Sequence, residues 1–296
     1  MNSKDHHDIC KEIRNITPEK ALKDFYKLKD GNFKLTSIIG NTAIDYFFLN
    51  HRLETKCKLG INYFDWIETK PLEFKYKKKL YDFIIERQKY KNHYQALYDV
   101  FKLYCGYINA FKPIIAKDLY NKYKPKTILD FSAGWGGRCL GAMVLDINYI
   151  GFDTNINLKT AYENMIKTYP SKSDVKMYYE DSSKVDYSKF EYDMVFTSPP
   201  YFMKSKKRPI EEYEFMPKYN DHIEFNNKFL FPVIKNTYDN LKINGVYAIN
   251  VRIDTYEDIK KILGVCDHQI PLIQTRKTIK HHDYNEYIYI WIKKKI

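Results

Sequence analysis

Two segments of this 296-residue chain combine residue types that could hold a cofactor and align a substrate. Residues 130–138 read Asp-Phe-Ser-Ala-Gly-Trp-Gly-Gly-Arg, and the glycines would let the backbone approach a ligand closely. Residues 197–202 read Thr-Ser-Pro-Pro-Tyr-Phe, a rigid turn whose carbonyls local amides cannot take. The order of the two segments indicates a cofactor loop followed by a substrate loop.

Each segment follows a short apolar run that predicts a β-strand. The predicted strands cover residues 127–131, 148–152, 175–179, 192–197 and 246–251, with two more at 269–275 and 286–292. Amphipathic stretches between most of them predict helices, the longest over 222–242, and Asn244-Gly245 supplies a left-handed residue after it. This alternation favours an α/β fold with a parallel sheet covered by helices.

Helix-like apolar spacing without alternating strands predicts a mostly helical region over residues 1–104. The catalytic domain is predicted over residues 105–296. The N-terminal region is then a candidate accessory module.

Acidic residues follow the second and third predicted strands. Asp153 lies roughly 20 residues after the glycine loop, where a carboxylate can accept both hydrogen bonds from a ribose diol. Asp181 could accept from an adenine amino group, although capping of the next helix explains it equally well. A dinucleotide fingerprint would need glycine at position 139, where the chain has Cys139. The candidate cofactor-binding residues are Asp130, Ser132, Ala133, Gly134, Gly136, Asp153, Thr154, Asp181 and Ser182.

The Ser-Pro-Pro-Tyr turn suits methylation of an exocyclic amine, because acceptors on the amino hydrogens aim the nitrogen lone pair. Ser198 Oγ and the Pro199 carbonyl are such acceptors, and Tyr201 could stack on a base flipped out of a duplex. A surface turn or polyproline stretch is the alternative. The candidate catalytic residues are Ser198, Pro199, Pro200 and Tyr201.

These segments resemble the amino-methyltransferases of DNA, whose S-adenosylmethionine loop and [Asp/Asn/Ser]-Pro-Pro-[Tyr/Phe/Trp] motif match residues 130–136 and 198–201. Residues 133–138 with 197–202 look like a branch from phages and large viruses. The resemblance implies a Rossmann-like, seven-stranded class I methyltransferase sheet, S-adenosylmethionine as cofactor, and direct transfer without a covalent intermediate. Asp130 would order the glycine loop, and residues 107–113 would complete the methionine pocket.

Within this family, Ser-Pro-Pro-Tyr usually accompanies methylation of cytosine at N4, so the resemblance implies a site-specific DNA methyltransferase with that target, as in restriction-modification systems. Adenine-N6 methylation of DNA, methylation of RNA or of a protein amide, and a non-catalytic subunit that binds cofactor or DNA remain alternatives. The resemblance implies duplex DNA as partner, with the N-terminal region over residues 1–104 as the candidate for DNA recognition. A homodimer or an accessory subunit stays open.

The formal net charge of +12 favours a polyanionic partner, although a chain rich in Lys, Asn, Ile and Tyr is also typical of an AT-rich genome. Two basic loops fall where DNA would pass, and ordinary surface charge is their alternative. The candidate DNA-binding residues are Lys204, Lys206, Lys207, Arg208, Arg276 and Lys277.

The five cysteines are scattered and none lies in a Cys-x-x-Cys pair, so neither a disulfide framework nor a metal site is predicted. None follows a proline, which argues against the cysteine nucleophile of cytosine-C5 chemistry. No apolar run approaches the roughly 20 residues that span a bilayer, and the first residues lack a signal-peptide pattern. We expect a soluble, intracellular protein in the cytoplasm or nucleoid, or at a site of viral DNA replication.

Overall fold

The computed structural model describes residues 6–57, 59–69, 77–106, 108–203, 208–209, 218–272 and 286–295. Its strands are β1 (Thr127–Asp130), β2 (Asn148–Phe152), β3 (Val175–Tyr178), β4 (Met194–Thr197), β5 (Phe202–Met203), β6 (Arg208–Pro209), β7 (Val246–Arg252), β8 (His268–Pro271) and β9 (Glu286–Ile292). Its α-helices are α1 (His6–Ile13), α2 (Pro18–Asp30), α3 (Asn41–Glu54), α4 (Tyr63–Glu68), α5 (Lys77–Gln88), α6 (His93–Tyr104), α7 (Pro113–Tyr123), α8 (Gly137–Met143), α9 (Lys159–Thr168), α10 (His222–Phe225), α11 (Phe231–Asp239) and α12 (Ile253–Leu263).

Seven strands form one sheet in the order β3-β2-β1-β4-β7-β9-β8. Strands β1, β2, β3, β4 and β7 are parallel, and β9 runs antiparallel to both β7 and β8. The short strands β5 and β6 pair separately as an antiparallel ribbon. The predicted α/β fold with a Rossmann-like, seven-stranded sheet is therefore confirmed.

Helices cover both faces of the sheet, which explains why its central strands read as continuous apolar runs. Helices α7, α8 and α9 pack on one face, and α10, α11 and α12 pack on the other. All four residues of β4 are buried, as are the first six of β7. Among the described residues the sheet thus lies between two apolar cores, and the carboxyl ends of its parallel strands are where a site can form.

Some strand boundaries differ from the predicted ones. Strand β4 begins at Met194, two residues later than expected, because the Asp193 side chain accepts hydrogen bonds from the amides of Lys126 and Thr127 at 2.8–3.0 Å. Strand β8 ends at Pro271, and residues 273–275 of the prediction lie outside the described residues.

The segment predicted as one helix over 222–242 contains α10, a π-helical turn (Asn226–Leu230) and α11. Pro232 has no amide proton and cannot continue an ordinary ladder, and the Phe231 amide donates to the Asn226 carbonyl five residues back. Asn244 has a φ of 62°, which is the predicted left-handed residue before β7.

The described residues before position 105 are mostly helical, and they divide between two apolar cores. Helices α2 and α3 share the core of α7, α8 and α9, through Phe25 and Phe48 among others. The remaining helices enclose a separate core around Trp66 and Phe101. Lys117 on α7 connects α7 to α2, because its Nζ donates to three carbonyls at the end of α2 at 2.5–3.0 Å. The domain boundary at residue 104 stays a prediction.

Candidate active site

The carboxyl ends of β1, β2, β3 and β4 lie along one edge of the sheet because these strands are parallel neighbours. The chain runs outward from β1 to β3 and then returns to the other side of β1 with β4. Ligands of open α/β sheets bind at such a reversal of strand order. The glycine loop after β1 and the Ser-Pro-Pro-Tyr turn after β4 therefore flank the expected ligand crevice.

Asp130 is fully buried at the end of β1 and orders the glycine loop from inside the protein. Its carboxylate accepts from Arg138 Nε at 2.6 Å, from the Tyr149 hydroxyl at 2.6 Å and from the Ser132 amide at 3.1 Å. Arg138 also donates to the Ser132 carbonyl. This buried ion pair neutralises both charges and fixes the loop that follows β1.

Only one of the two predicted cofactor glycines faces open space. A Cβ placed on Gly134 would meet a single atom, the Ser132 carbonyl oxygen, at 3.9 Å. A Cβ on Gly136 would lie 2.6 Å from Cε2 of Phe48. The absence of a side chain at Gly136 therefore makes room for α3, and the role of Gly136 toward the cofactor stays a prediction. Gly137 faces the protein in the same way, since its Cβ would lie 1.9 Å from the Phe111 carbonyl oxygen.

Asp153 lies directly after β2 and touches the glycine loop. Its Oδ2 accepts from the Gly134 amide at 2.8 Å and its Oδ1 from the Asn155 amide at 2.9 Å, so each oxygen keeps acceptor capacity. Burial raises the pKa of Asp153. Thr154 follows it in a half-buried position. The predicted ribose acceptor and Gly134 thus lie side by side.

Two other predicted cofactor residues serve the fold. Ala133 is 2% exposed, and its amide donates to the Phe152 carbonyl at 2.9 Å. Ser182 is 3% exposed, and its hydroxyl donates to the Phe131 carbonyl at 2.6 Å, which ties the end of β3 to the end of β1. These bonds use the Ala133 amide and the Ser182 hydroxyl within the protein, and the assignment of both residues to the cofactor stays a prediction.

Asp181 caps the short 3-10 turn that follows it, which is the alternative that the sequence left open. Its Oδ1 accepts from the Ser183 amide at 3.0 Å and from the Ser183 hydroxyl at 2.7 Å. Its Oδ2 lies 3.7 Å from the exposed Lys184 ammonium group. Capping uses one oxygen and leaves the other near the sheet edge.

The Ser-Pro-Pro-Tyr turn is anchored by a side chain from the neighbouring strand. Asn250 on β7 accepts at Oδ1 from the Ser198 hydroxyl at 3.1 Å and from the Tyr201 hydroxyl at 2.9 Å. The two hydroxyls lie 3.3 Å apart. Burial and the nearby Glu286 carboxylate raise the pKa of Tyr201 well above its usual value, so its hydroxyl stays protonated.

Pro199, Pro200 and Tyr201 also form one wall of a small cleft. The opposite wall consists of residues from α10, the π-helical turn, β7 and α12, namely His222, Phe225, Asn226, Val251, Thr255 and Asp258. Pro199 is buried and Pro200 half-buried, so the turn is wedged between the sheet edge and this helical layer.

The basic candidates for DNA contact cannot be placed in the site. Lys204, Lys206, Lys207, Arg276 and Lys277 lie outside the described residues. Arg208 contributes its backbone to β6. Tyr107, at the start of the predicted methionine-pocket segment, also lies outside them, whereas the Ile108 carbonyl accepts from Arg52 on α3 at 3.3 Å.

Neither a metal centre nor a membrane span is found in the described part of the chain. It contains no group of three or more His, Cys, Asp or Glu side chains arranged to hold a metal ion. None of its helices is both long and apolar enough to cross a bilayer.

Comparison with known proteins gives fold resemblances at low identity. No protein-family model and no curated protein matches the chain. TrmN from Thermus thermophilus aligns at 14% identity and a TM-score of 0.41, over 61% of this chain and 48% of its own. NSun6 from Pyrococcus horikoshii, solved with SFG, aligns at 14% identity and 0.43, over 64% and 53%. The aligned region thus spans about half the length of these two proteins.

A third solved structure is an RNA methyltransferase from Salinibacter ruber in complex with S-adenosyl-L-homocysteine. It aligns at 16% identity and a TM-score of 0.40, over 64% of this chain and 96% of its own.

Sequence reasoning missed three residues that shape the site. Asn250 is an amide within a hydrophobic run of β7, and this pattern could have indicated a buried side chain with specific hydrogen-bond partners. Tyr162 on α9 donates from its hydroxyl to the Gly134 carbonyl at 2.9 Å and accepts from the Gly136 amide at 3.1 Å. Phe48 fills the space at Gly136, and nothing in its local sequence distinguishes it from other core aromatics.

Proposed function

We propose that this protein transfers a methyl group from S-adenosylmethionine to the exocyclic amine of a nucleic-acid base, with N4 of cytosine in DNA as the leading target. One observation carries the proposal. Ser198, whose hydroxyl is hydrogen-bonded to Asn250, is the first residue after β4. Gly134, which faces open space, lies in the loop after β1, the neighbouring strand at the reversal of strand order. Because β1 and β4 are parallel neighbours, the acceptors for an amine and the space for a cofactor follow the same ends of adjacent strands, which supports the proposal.

The residues around Gly134 fit S-adenosylmethionine. The backbone at Gly134 has open space in front of it, and Asp153 beside it keeps acceptor capacity for a ribose diol. Asp181 has one carboxylate oxygen left over from capping and would hold the adenine end. When bound, S-adenosylmethionine supplies an electrophilic methyl group.

The chain's own residues would act by alignment. The Ser198 hydroxyl and the Pro199 carbonyl would each accept an amino hydrogen, which leaves the nitrogen lone pair directed away from both. Serine is not a general base near neutral pH, so the surplus proton would pass to water. Holding the reactants in a reactive orientation is the main source of rate that such a site offers.

Nucleic acid is favoured as substrate by the net charge of +12, because lysine and arginine gain affinity by releasing counterions from phosphates. The ring of Tyr201 is half-buried while its hydroxyl is held in place, which suits a platform on which a flipped base stacks. Serine in the first position of the turn favours cytosine N4 through the family resemblance.

The proposal is tested by incubating the purified protein with tritiated S-adenosylmethionine and duplex DNA of mixed sequence. The DNA is then digested to nucleosides and the labelled nucleoside is identified by chromatography. Label in N4-methylcytosine supports the proposal, and label in N6-methyladenine overturns the choice of base. Label that enters only RNA or protein in parallel incubations overturns the choice of DNA.

Ser198→Ala provides the matched test of the site. We expect it to keep cofactor binding and to lose turnover, whereas Ser188→Ala, which alters an exposed serine in a 3-10 turn, should leave turnover unchanged. Full turnover by Ser198→Ala would remove Ser198 from the mechanism. Cofactor binding by the wild type without label in any substrate would overturn catalysis.

A further inference from the structure

Asn250 is a polar amide in a buried, otherwise hydrophobic stretch of β7. It is 2% exposed, in the middle of β7, and its neighbours from Val246 to Val251 are hydrophobic. A buried amide is costly unless its hydrogen-bonding groups find partners. Asn250 has three, namely the hydroxyls of Ser198 and Tyr201 at Oδ1 and the Tyr287 carbonyl at 3.1 Å from Nδ2.

These partners determine which way the amide points. The Tyr287 carbonyl can only accept a hydrogen bond, so it requires the NH2 group of Asn250. Oδ1 must then face the two hydroxyls, and an oxygen without hydrogen can only accept from them. Asn250 therefore offers an acceptor to both hydroxyls and a donor to neither, and the Tyr201 oxygen, 3.3 Å from Ser198 Oγ, is the only other internal partner for the Ser198 proton among the described residues.

This arrangement fixes what Ser198 can offer a substrate. With its proton directed to Asn250, the Ser198 oxygen presents only lone pairs to the crevice. A freely rotating serine could instead donate its proton to the lone pair of an incoming amine and block the electrons needed for attack. The second neighbour, Tyr201, does not reverse this, because its single hydroxyl proton goes to Asn250 or to the Glu286 carboxylate, so that toward Ser198 the Tyr201 oxygen can only accept.

We infer that Asn250 is a positioning residue that holds the Ser198 hydroxyl as a hydrogen-bond acceptor, so that the site selects a reacting atom bearing N–H hydrogens. This inference rests on the proposed function. It assigns to β7 a share in specificity, since a substrate atom without a hydrogen would meet only repelling lone pairs at Ser198.

A double-mutant cycle tests the inference by measuring methyl transfer for the wild type, Asn250→Leu, Ser198→Ala and the double variant. Asn250→Leu keeps the side-chain shape and removes both polar groups. We expect its kcat to fall about 10- to 100-fold, the loss typical of a misplaced reactive group, with cofactor affinity unchanged. The same cycle in a Tyr201→Phe background removes the second hydroxyl that Asn250 holds, and there the double variant should be no slower than Ser198→Ala.

Two further variants separate positioning from a structural effect. In its protonated form the new carboxyl of Asn250→Asp can donate to the Tyr287 carbonyl and still accept from Ser198, so the activity of this variant relative to the wild type should rise as the pH falls. Thr237→Val is the control: it removes a buried hydroxyl that is hydrogen-bonded to Tyr247, which lies on β7 as Asn250 does. This variant should leave kcat unchanged. If Asn250→Leu does not fold, Asn250→Ala takes its place in the cycle.

The outcomes are distinct. Losses that multiply in the double variant, or an Asn250→Leu protein with wild-type kcat, would overturn the positioning role while the proposed function stands. A wild type without activity on any nucleic acid would overturn the proposed function and this inference with it.

Discussion

Replacing Gly136 by alanine should mainly lower the stability of the protein, whereas replacing Gly134 by alanine should mainly weaken cofactor binding. Both glycines have left-handed backbones, with φ of 76° and 58°, so a side chain costs about 1 kcal/mol at either position. At Gly136 the new methyl would also lie 2.6 Å from the Phe48 ring, and overpacking of a core typically adds about 1–3 kcal/mol. Gly136→Ala should therefore lose about 2–4 kcal/mol of stability.

At Gly134 the methyl would enter open space, and its nearest neighbour would be 3.9 Å away. Gly134→Ala should keep most of the stability, but the methyl would occupy the space we assign to the cofactor. A steric cost of about 1–3 kcal/mol there weakens binding about 10- to 100-fold. The pair therefore separates a packing glycine from a ligand glycine.

Thermal unfolding and calorimetric titration with S-adenosylhomocysteine check both expectations. Gly136→Ala should lower Tm by about 3–8 °C with little change in Kd, and Gly134→Ala should raise Kd with a smaller change in Tm. Combining Gly136→Ala with Phe48→Leu should recover part of the lost stability, because a smaller side chain relieves the contact. A Gly136→Ala protein with normal Tm and weakened binding would refute the assignment of Gly136 to α3.

Three further predictions follow from buried polar groups. Burial raises the pKa of Asp153 above its ordinary value of 3.8, and only the carboxylate accepts hydrogen bonds from both ribose hydroxyls. Cofactor affinity measured by calorimetry should therefore fall as the pH drops through that raised pKa. Asp153→Asn should bind the cofactor weakly, with an affinity that does not change with pH. Lys117→Met should lower the free energy of unfolding by about 2–4 kcal/mol in urea titrations, since it leaves three helix-end carbonyls unpaired, whereas the exposed Lys122→Met should be neutral. Asp130→Asn should cost about 3–5 kcal/mol in the same assay by leaving the buried charge of Arg138 unpaired, and a near-neutral result would show that water reaches this pair.

The fold and the order of the site follow from local sequence patterns. Short apolar runs mark the strands, and the residue after each run is placed at the carboxyl edge whatever the rest of the chain does. Asp153 and Ser198 could therefore be assigned to one edge before any contact was known. Strand boundaries do not follow from periodicity, because the side-chain hydrogen bonds of Asp193 precede the start of β4 and a proline, Pro271, is the last residue of β8.

The role of each residue at that edge depends on what packs behind it. Gly134 and Gly136 are equivalent in sequence, and only the arrival of Phe48 from a distant helix assigns one to packing and leaves the other open. Ser198 is a plausible acceptor from its motif, but its proton is directed by Asn250 from another strand. The sequence alone determined which groups meet at the sheet edge, because strand direction and alternation are local properties. The tertiary structure alone decided which groups face the ligand, because burial and hydrogen-bond direction are set by partners far away along the chain.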